Sequence, residues 1–135
     1  MKVIGIEHIG IAVTDLESSA KFWKEVVGLQ HLSREDVGSQ GVTTDIYQTD
    51  SGKIELLLSK YPDSPIAKFI NKRGPGIHHI CLEVDNIDDA IRNFLENNIE
   101  LIGEEPSIGA EGYKVIFVHP NSTGGVLVEL AEKTA

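Results

Sequence analysis

The sequence predicts an α+β fold in which two tandem βαβββ modules contribute eight strands to one curved, mixed sheet that lines a cleft. Three observations carry this expectation. A strand-like motif occurs twice, a helix-like stretch follows each copy, and each module closes on the same kind of string, Ile54-Glu55-Leu56 in one and Val128-Glu129-Leu130 in the other. An internal repeat is read before anything else because it decides the architecture.

The repeated motif is His8-Ile9-Gly10-Ile11-Ala12-Val13, which returns as His79-Ile80-Cys81-Leu82-Glu83-Val84. Side chains two apart on a strand share a face. Ile9, Ile11 and Val13 therefore pack under a helix while His8, Gly10 and Ala12 face the cleft. The second copy sends Ile80, Leu82 and Val84 to the helix and His79, Cys81 and Glu83 to the cleft. Acidic segments then start the helices, Thr14-Asp15-Leu16-Glu17 and Asp85-Asn86-Ile87-Asp88-Asp89, where they suit exposed N–H groups and the positive helix end. The first helix runs to about Val27 with Leu16, Ala20, Trp23 and Val27 as its apolar stripe, and Gly28 ends it. The second runs to about Asn98 on Ile87, Ala90, Ile91, Phe94 and Leu95.

Three strands follow each helix. They are residues 29–37, 41–48 and 53–59, then 101–104, 113–119 and 126–131, with turns at Asp50-Ser51-Gly52 and between Pro120 and Gly125. Module 1 spans about 3–59 and module 2 about 77–132. Residues 60–76 join them, with Ser64-Pro65 starting a short helix through Phe69 that Gly74-Pro75-Gly76 ends. One unit cannot cover its own sheet, so residues 1–135 form a single domain.

Composition narrows the partners. The chain has 135 residues, 41% of them hydrophobic, enough for one core. A net charge of −9, from 21 acidic against 12 Lys and Arg residues, disfavours nucleic acid and anionic membranes. No apolar run approaches the roughly 20 residues that cross a bilayer. A lone Cys81 forms no internal disulfide and no signal peptide is evident, so the expected location is cytoplasmic.

The closing strands carry the chemistry. Glu55 interrupts Ile54, Leu56 and Leu58, and Glu129 interrupts Val126, Val128 and Leu130. A carboxylate buried in such a strand needs solvent, a partner or a metal. Singly, each His or Glu reads as an ordinary hydrogen-bonded or solvated residue. Their recurrence at matched positions favours a four-ligand site of His8, Glu55, His79 and Glu129 for one divalent cation, a donor set that suits Co²⁺, Ni²⁺, Zn²⁺, Mn²⁺ or Fe²⁺. Closed zinc sites favour thiolates, which one Cys does not supply, so an open, catalytic site is the better reading. Cys81 reads as a small apolar residue and His78 as pointing away from His79; His31 and His119 read as structural or exposed. Lys68, Lys72 and Arg73 form a basic cluster suited to substrate phosphates or to the end of a helix.

The paired His-Ile strands and Ile-Glu-Leu endings resemble the vicinal oxygen chelate superfamily over essentially the whole chain. Within it, the chain is most similar to the methylmalonyl-CoA epimerases, through Ser64-Pro65-Ile66-Ala67-Lys68-Phe69, Gly76-Ile77-His78-His79-Ile80, Ile108-Gly109-Ala110-Glu111-Gly112, Phe117-Val118-His119-Pro120 and Gly124-Gly125-Val126-Leu127-Val128-Glu129-Leu130. The resemblance implies an acyl-CoA substrate and a homodimer. It places His8, His79 and Glu129 at ligand positions and puts Glu55 where some members have Gln. The implied reaction removes the weakly acidic hydrogen between thioester and carboxylate, with a metal-stabilised enolate and two carboxylate bases, for which Glu129 and Glu55 are the candidates. The resemblance also implies a base that some bacterial members use, a Glu shortly after Gln-Gly-Val. Here Gln40-Gly41-Val42-Thr43-Thr44 puts Thr44 at that position and Asp45 one residue on, an offset that reverses the face. A glyoxalase I-type isomerase and a non-catalytic binding protein of the same fold are the alternatives.

Overall fold

The computed structural model describes residues 1–134. Eight strands form a mixed sheet in the order β2-β3-β4-β1-β5-β8-β7-β6. The strands are β1 Val3–Ala12, β2 Gln30–Val37, β3 Val42–Gln48, β4 Lys53–Ser59, β5 Gly76–Val84, β6 Leu101–Ile108, β7 Lys114–Val118 and β8 Val128–Glu132. The α-helices are α1 Leu16–Ala20, α2 Pro65–Arg73 and α3 Ile87–Glu96. No helix among the described residues is long and apolar enough to cross a membrane.

Two compact units divide the chain, residues 8–78 and residues 1–7 with 79–135, so that β1 contributes to both. In the first unit β1 runs parallel to β4, and β3 is antiparallel to β2 and β4. The core has Val13, Leu16, Tyr47 and Leu56 at its centre, with Ile11, Ala20, Trp23, Leu29, Ile54 and Leu58 around them. In the other unit β5 runs parallel to β8, and β7 is antiparallel to β6 and β8. Its core holds Val84, Ile87, Ala90, Ile116, Val118 and Leu130, flanked by Leu82, Ile91 and Phe94. The cores contain Ile11 and Val13 of the first copy and Leu82 and Val84 of the second, which alternation assigns to the helix side.

The helices start as their sequences predict. Asp15 accepts from the backbone N–H groups of Glu17 and Ser18, and Asn86 from that of Asp89. Their apolar stripes end sooner than expected. After Ala20 the first helix continues as a π-helix, Lys21–Val26, in which the Val27 N–H reaches back five residues to the Phe22 carbonyl. The wider turn rotates Val27 out of the stripe and leaves it exposed. Leu95 is likewise exposed, since Asn97 and Asn98 close the last turn of α3 while Phe94 alone carries the stripe onto the core. The linker helix extends past Phe69 to Arg73 and stops at Gly74, whose φ of 80° suits a residue without a side chain.

Candidate metal centre

Each unit builds a buried imidazole–carboxylate pair, by the same local construction. In the first, Gly10 of β1 lies directly across from Glu55 of β4, and His8 sits two residues before Gly10 on the same face. His8 Nδ1 stands 2.9 Å from Glu55 Oε2. In the second, Cys81 of β5 lies across from Glu129 of β8 and His79 precedes it by two residues. His79 Nε2 stands 3.0 Å from Glu129 Oε1. A small residue opposite each Glu leaves the imidazole a clear approach. Cys81 fills that role as expected, packed with Val115, Ala131 and Tyr113.

Burial makes these pairs consequential. Glu55 is 4% exposed and Glu129 5%, each between apolar strand neighbours, and His8 and His79 are comparably covered. A carboxylate so placed is costly to leave uncompensated. All four residues belong to His/carboxylate groups able to hold a metal ion. Imidazole nitrogen and carboxylate oxygen are donors that fit a divalent first-row cation, which would also compensate the buried negative charge. Around His79, the Phe117 ring packs edge-on at 5.5 Å. His78 instead packs edge-on to Phe69 at 5.0 Å, so the adjacent histidines of β5 have different surroundings.

Asp45 turns the other way, as its one-residue offset from Thr44 predicts. Its side chain is fully buried beside Tyr47, on the helix face of β3. It accepts from Tyr47 Oη at 2.7 Å and from Arg34 Nε at 3.3 Å, and His31 Nε2 lies 2.7 Å away. Burial pushes its carboxyl up, but the hydrogen bonds from Arg34, Tyr47 and His31 outweigh burial and hold it below the ordinary range. The Tyr47 hydroxyl is pushed up to about 12 by burial and by its bond to Asp45. Asp45 therefore anchors β2 to β3. His31, read from the sequence as structural or exposed, is part of that anchor. His119 is partly exposed and accepts from the Asn121 N–H.

Two carboxylates escaped the sequence reading. Glu7 is buried and pairs with Lys133 at 3.0 Å, although its neighbour His8 is the residue the alternation singles out. Glu35 pairs across β2 and β3 with Thr44, which in turn lies across from Leu57. That register puts Glu35 on the strand face of Thr44, Ile46 and Glu55. Only knowledge of which strands are neighbours reveals it.

The family model for the Glyoxalase/Bleomycin resistance protein/Dioxygenase superfamily matches residues 7–117. The chain is 43% identical over 128 residues to the mitochondrial methylmalonyl-CoA epimerase of Homo sapiens, covering 94% of this chain and 73% of that protein. It belongs to the methylmalonyl-CoA epimerase family. Two solved epimerases share its fold. The Mycobacterium tuberculosis methylmalonyl-CoA epimerase superposes with a TM-score of 0.95 at 31% identity, over 98% of this chain and 90% of that one. A variant of the Streptomyces coelicolor methylmalonyl-CoA epimerase in complex with 2-nitronate-propionyl-CoA gives 0.94 at 28% identity, over 99% and 100%. The eight-stranded sheet is thus the vicinal oxygen chelate fold that this epimerase family shares.

Proposed function

We propose that the chain interconverts (2R)- and (2S)-methylmalonyl-CoA, with His8, Glu55, His79 and Glu129 holding one divalent cation, Co²⁺ foremost. The observation that carries this is the buried His–Glu pair built twice, in a chain whose relatives are epimerases. When bound, the cation supplies Lewis-acid charge for the negative charge that develops on the thioester oxygen.

The residues move the proton. The α carbon lies between a thioester and a carboxylate, so its C–H bond is weakly acidic. One carboxylate, Glu129, takes the proton as the C–H bond breaks and becomes a carboxylic acid. Glu55, protonated, delivers its own proton to the other face of the carbon and becomes a carboxylate. A following turnover or exchange with water resets the pair. Two bases are the minimum for direct inversion, and each contributes through its position beside the bond that breaks. A Glu that also ligates must loosen its hold on the metal during transfer. Asp45 takes no part, because it is spent on Arg34 and Tyr47.

The same reading makes the enzyme a cytoplasmic homodimer with an acyl-CoA substrate. The exposed Val3, Ile4 and Ile6 of β1 support a partner copy. Relatives named as epimerases support this reading over a glyoxalase I-type isomerase or a mere binder.

The test is proton-to-deuterium exchange at the α carbon of methylmalonyl-CoA in D₂O, with cobalt-loaded and chelator-treated protein. Metal-dependent exchange with inversion is expected. Absence of exchange in metal-loaded protein would overturn the reading.

A further inference from the structure

We infer that helix α2 is the docking surface for the phosphorylated adenosine end of the acyl-CoA, an assignment that rests on the proposed reading for the identity of the ligand. A helical wheel places Lys68, Lys72, Phe69 and Arg73 side by side on one stripe of α2. The helix contains no acidic residue. Among the described residues, none of the three cations is in an ion pair. Two other cations of the same unit are committed elsewhere, Arg34 to Asp45 and Lys60 to Asp36. In a chain of net charge −9, an anionic ligand is repelled almost everywhere, so a stripe of unpaired cations is where it would be held.

The stripe is also organised. The Arg73 guanidinium lies over the Phe69 ring, 5.8 Å from its centroid, and His78 braces that ring edge-on at 5.0 Å. An Arg placed over an aromatic face keeps its N–H fork available to phosphate. Lys68 and Lys72, one turn apart and exposed, are point charges for phosphate oxygens. The helix is fixed at its start, where Ser64 Oγ accepts from the Ala67 N–H at 3.1 Å and meets Ser59 Oγ at 2.5 Å. Ser59 ends β4, the strand that carries Glu55. The stripe and the carboxylate are therefore joined through the end of one strand.

The bland account is that Lys72 and Arg73 merely suit the negative end of the helix dipole. It explains neither Lys68, in the first turns, nor the placement of Arg73 over the Phe69 ring.

The experiment compares the wild type with the triple variant Lys68→Gln, Lys72→Gln, Arg73→Gln, and with the charge-matched control Lys21→Gln, Lys24→Gln, Lys114→Gln, three exposed cations outside the stripe. The substrates are methylmalonyl-CoA and methylmalonyl-pantetheine, which lacks the nucleotide. Three solvent-exposed charge pairs together amount to about a tenfold effect. KM for the CoA ester is expected to rise about tenfold in the triple variant alone, with kcat little changed and KM for the pantetheine ester unmoved. An unchanged KM for the CoA ester, or an equal rise for both esters, would overturn the assignment. Binding of adenosine 3′,5′-bisphosphate, followed by calorimetry, separates the two readings. Binding that the triple variant loses, in a protein that epimerises neither ester, sinks the function and keeps the surface. Epimerisation by a protein whose nucleotide affinity the triple variant leaves intact does the reverse.

Discussion

The two units solve one problem with the same parts and differ in how they orient them. In each, a His and a Glu on neighbouring parallel strands meet beside a small residue. Glu55, however, faces His8 through Nδ1, and Glu129 faces His79 through Nε2. Their cross-strand neighbours differ too, Ile46 beside Glu55 and Phe117 beside Glu129. Phe117 packs edge-on against His79 and so fixes the plane of that ring. Duplication therefore preserves which residues meet, while the ring nitrogen turned to the carboxylate differs between the two units.

The strongest way to break this equivalence is to remove one carboxylate at a time. Glu129→Ala is expected to lose bound metal and to lower kcat/KM by at least about 10³-fold, read by metal analysis and α-proton exchange. Glu55→Gln is expected to keep metal and lose about 10²–10⁴-fold in turnover. Wild-type turnover in Glu55→Gln would leave Glu55 a ligand alone. Glu35→Gln, a change on the same strand face, then becomes the informative variant; under the present assignment it costs no more than a few-fold. Chelation tests both units together. Exchange should vanish when the metal is removed and return with Co²⁺.

The next effect sharpens an asymmetry. The Asp45 anchor belongs to the first unit, and Asp45→Asn should cost about 1–3 kcal/mol in denaturant unfolding while leaving turnover per folded molecule intact. Because the folded carboxyl is held low, its contribution is present above the ordinary carboxylate pKa of about 3.9. It is lost as pH falls through the lower folded value. The variant should lack that acid limb. Tyr47 gives the opposite sign. Its hydroxyl, pushed up to about 12, stays protonated in the folded chain while the unfolded one ionises near 10, so stability falls as pH rises between them. Tyr47→Phe should flatten that alkaline decline in a stability–pH profile.

The smallest effects compare caps. Asn86→Ala in one unit should cost about 1 kcal/mol. Ser64→Ala in the other should cost somewhat more, because Ser64 also meets Ser59. Thermal unfolding of the two variants measures the difference.

Much of this was legible in the chain itself. Two His-led strands, two Glu-interrupted strands and their equivalent spacing were enough to assign faces, because alternation is a property of the extended backbone. The same rule turned Asp45 away from Thr44. Helix starts were legible from Asp15 and Asn86, whose side chains cap locally. Tertiary structure decided the rest. The π-turn at Val27 and the exposure of Leu95 depend on how a helix ends against its sheet. The network of His31, Arg34, Tyr47 and Asp45, the position of Glu35 and the pairing of buried Glu7 with Lys133 join side chains through strand register or across long separations. Sequence alone determined which residues share a face. Only the folded chain decided which faces and atoms meet, because register and packing are set by neighbours that are distant along the sequence.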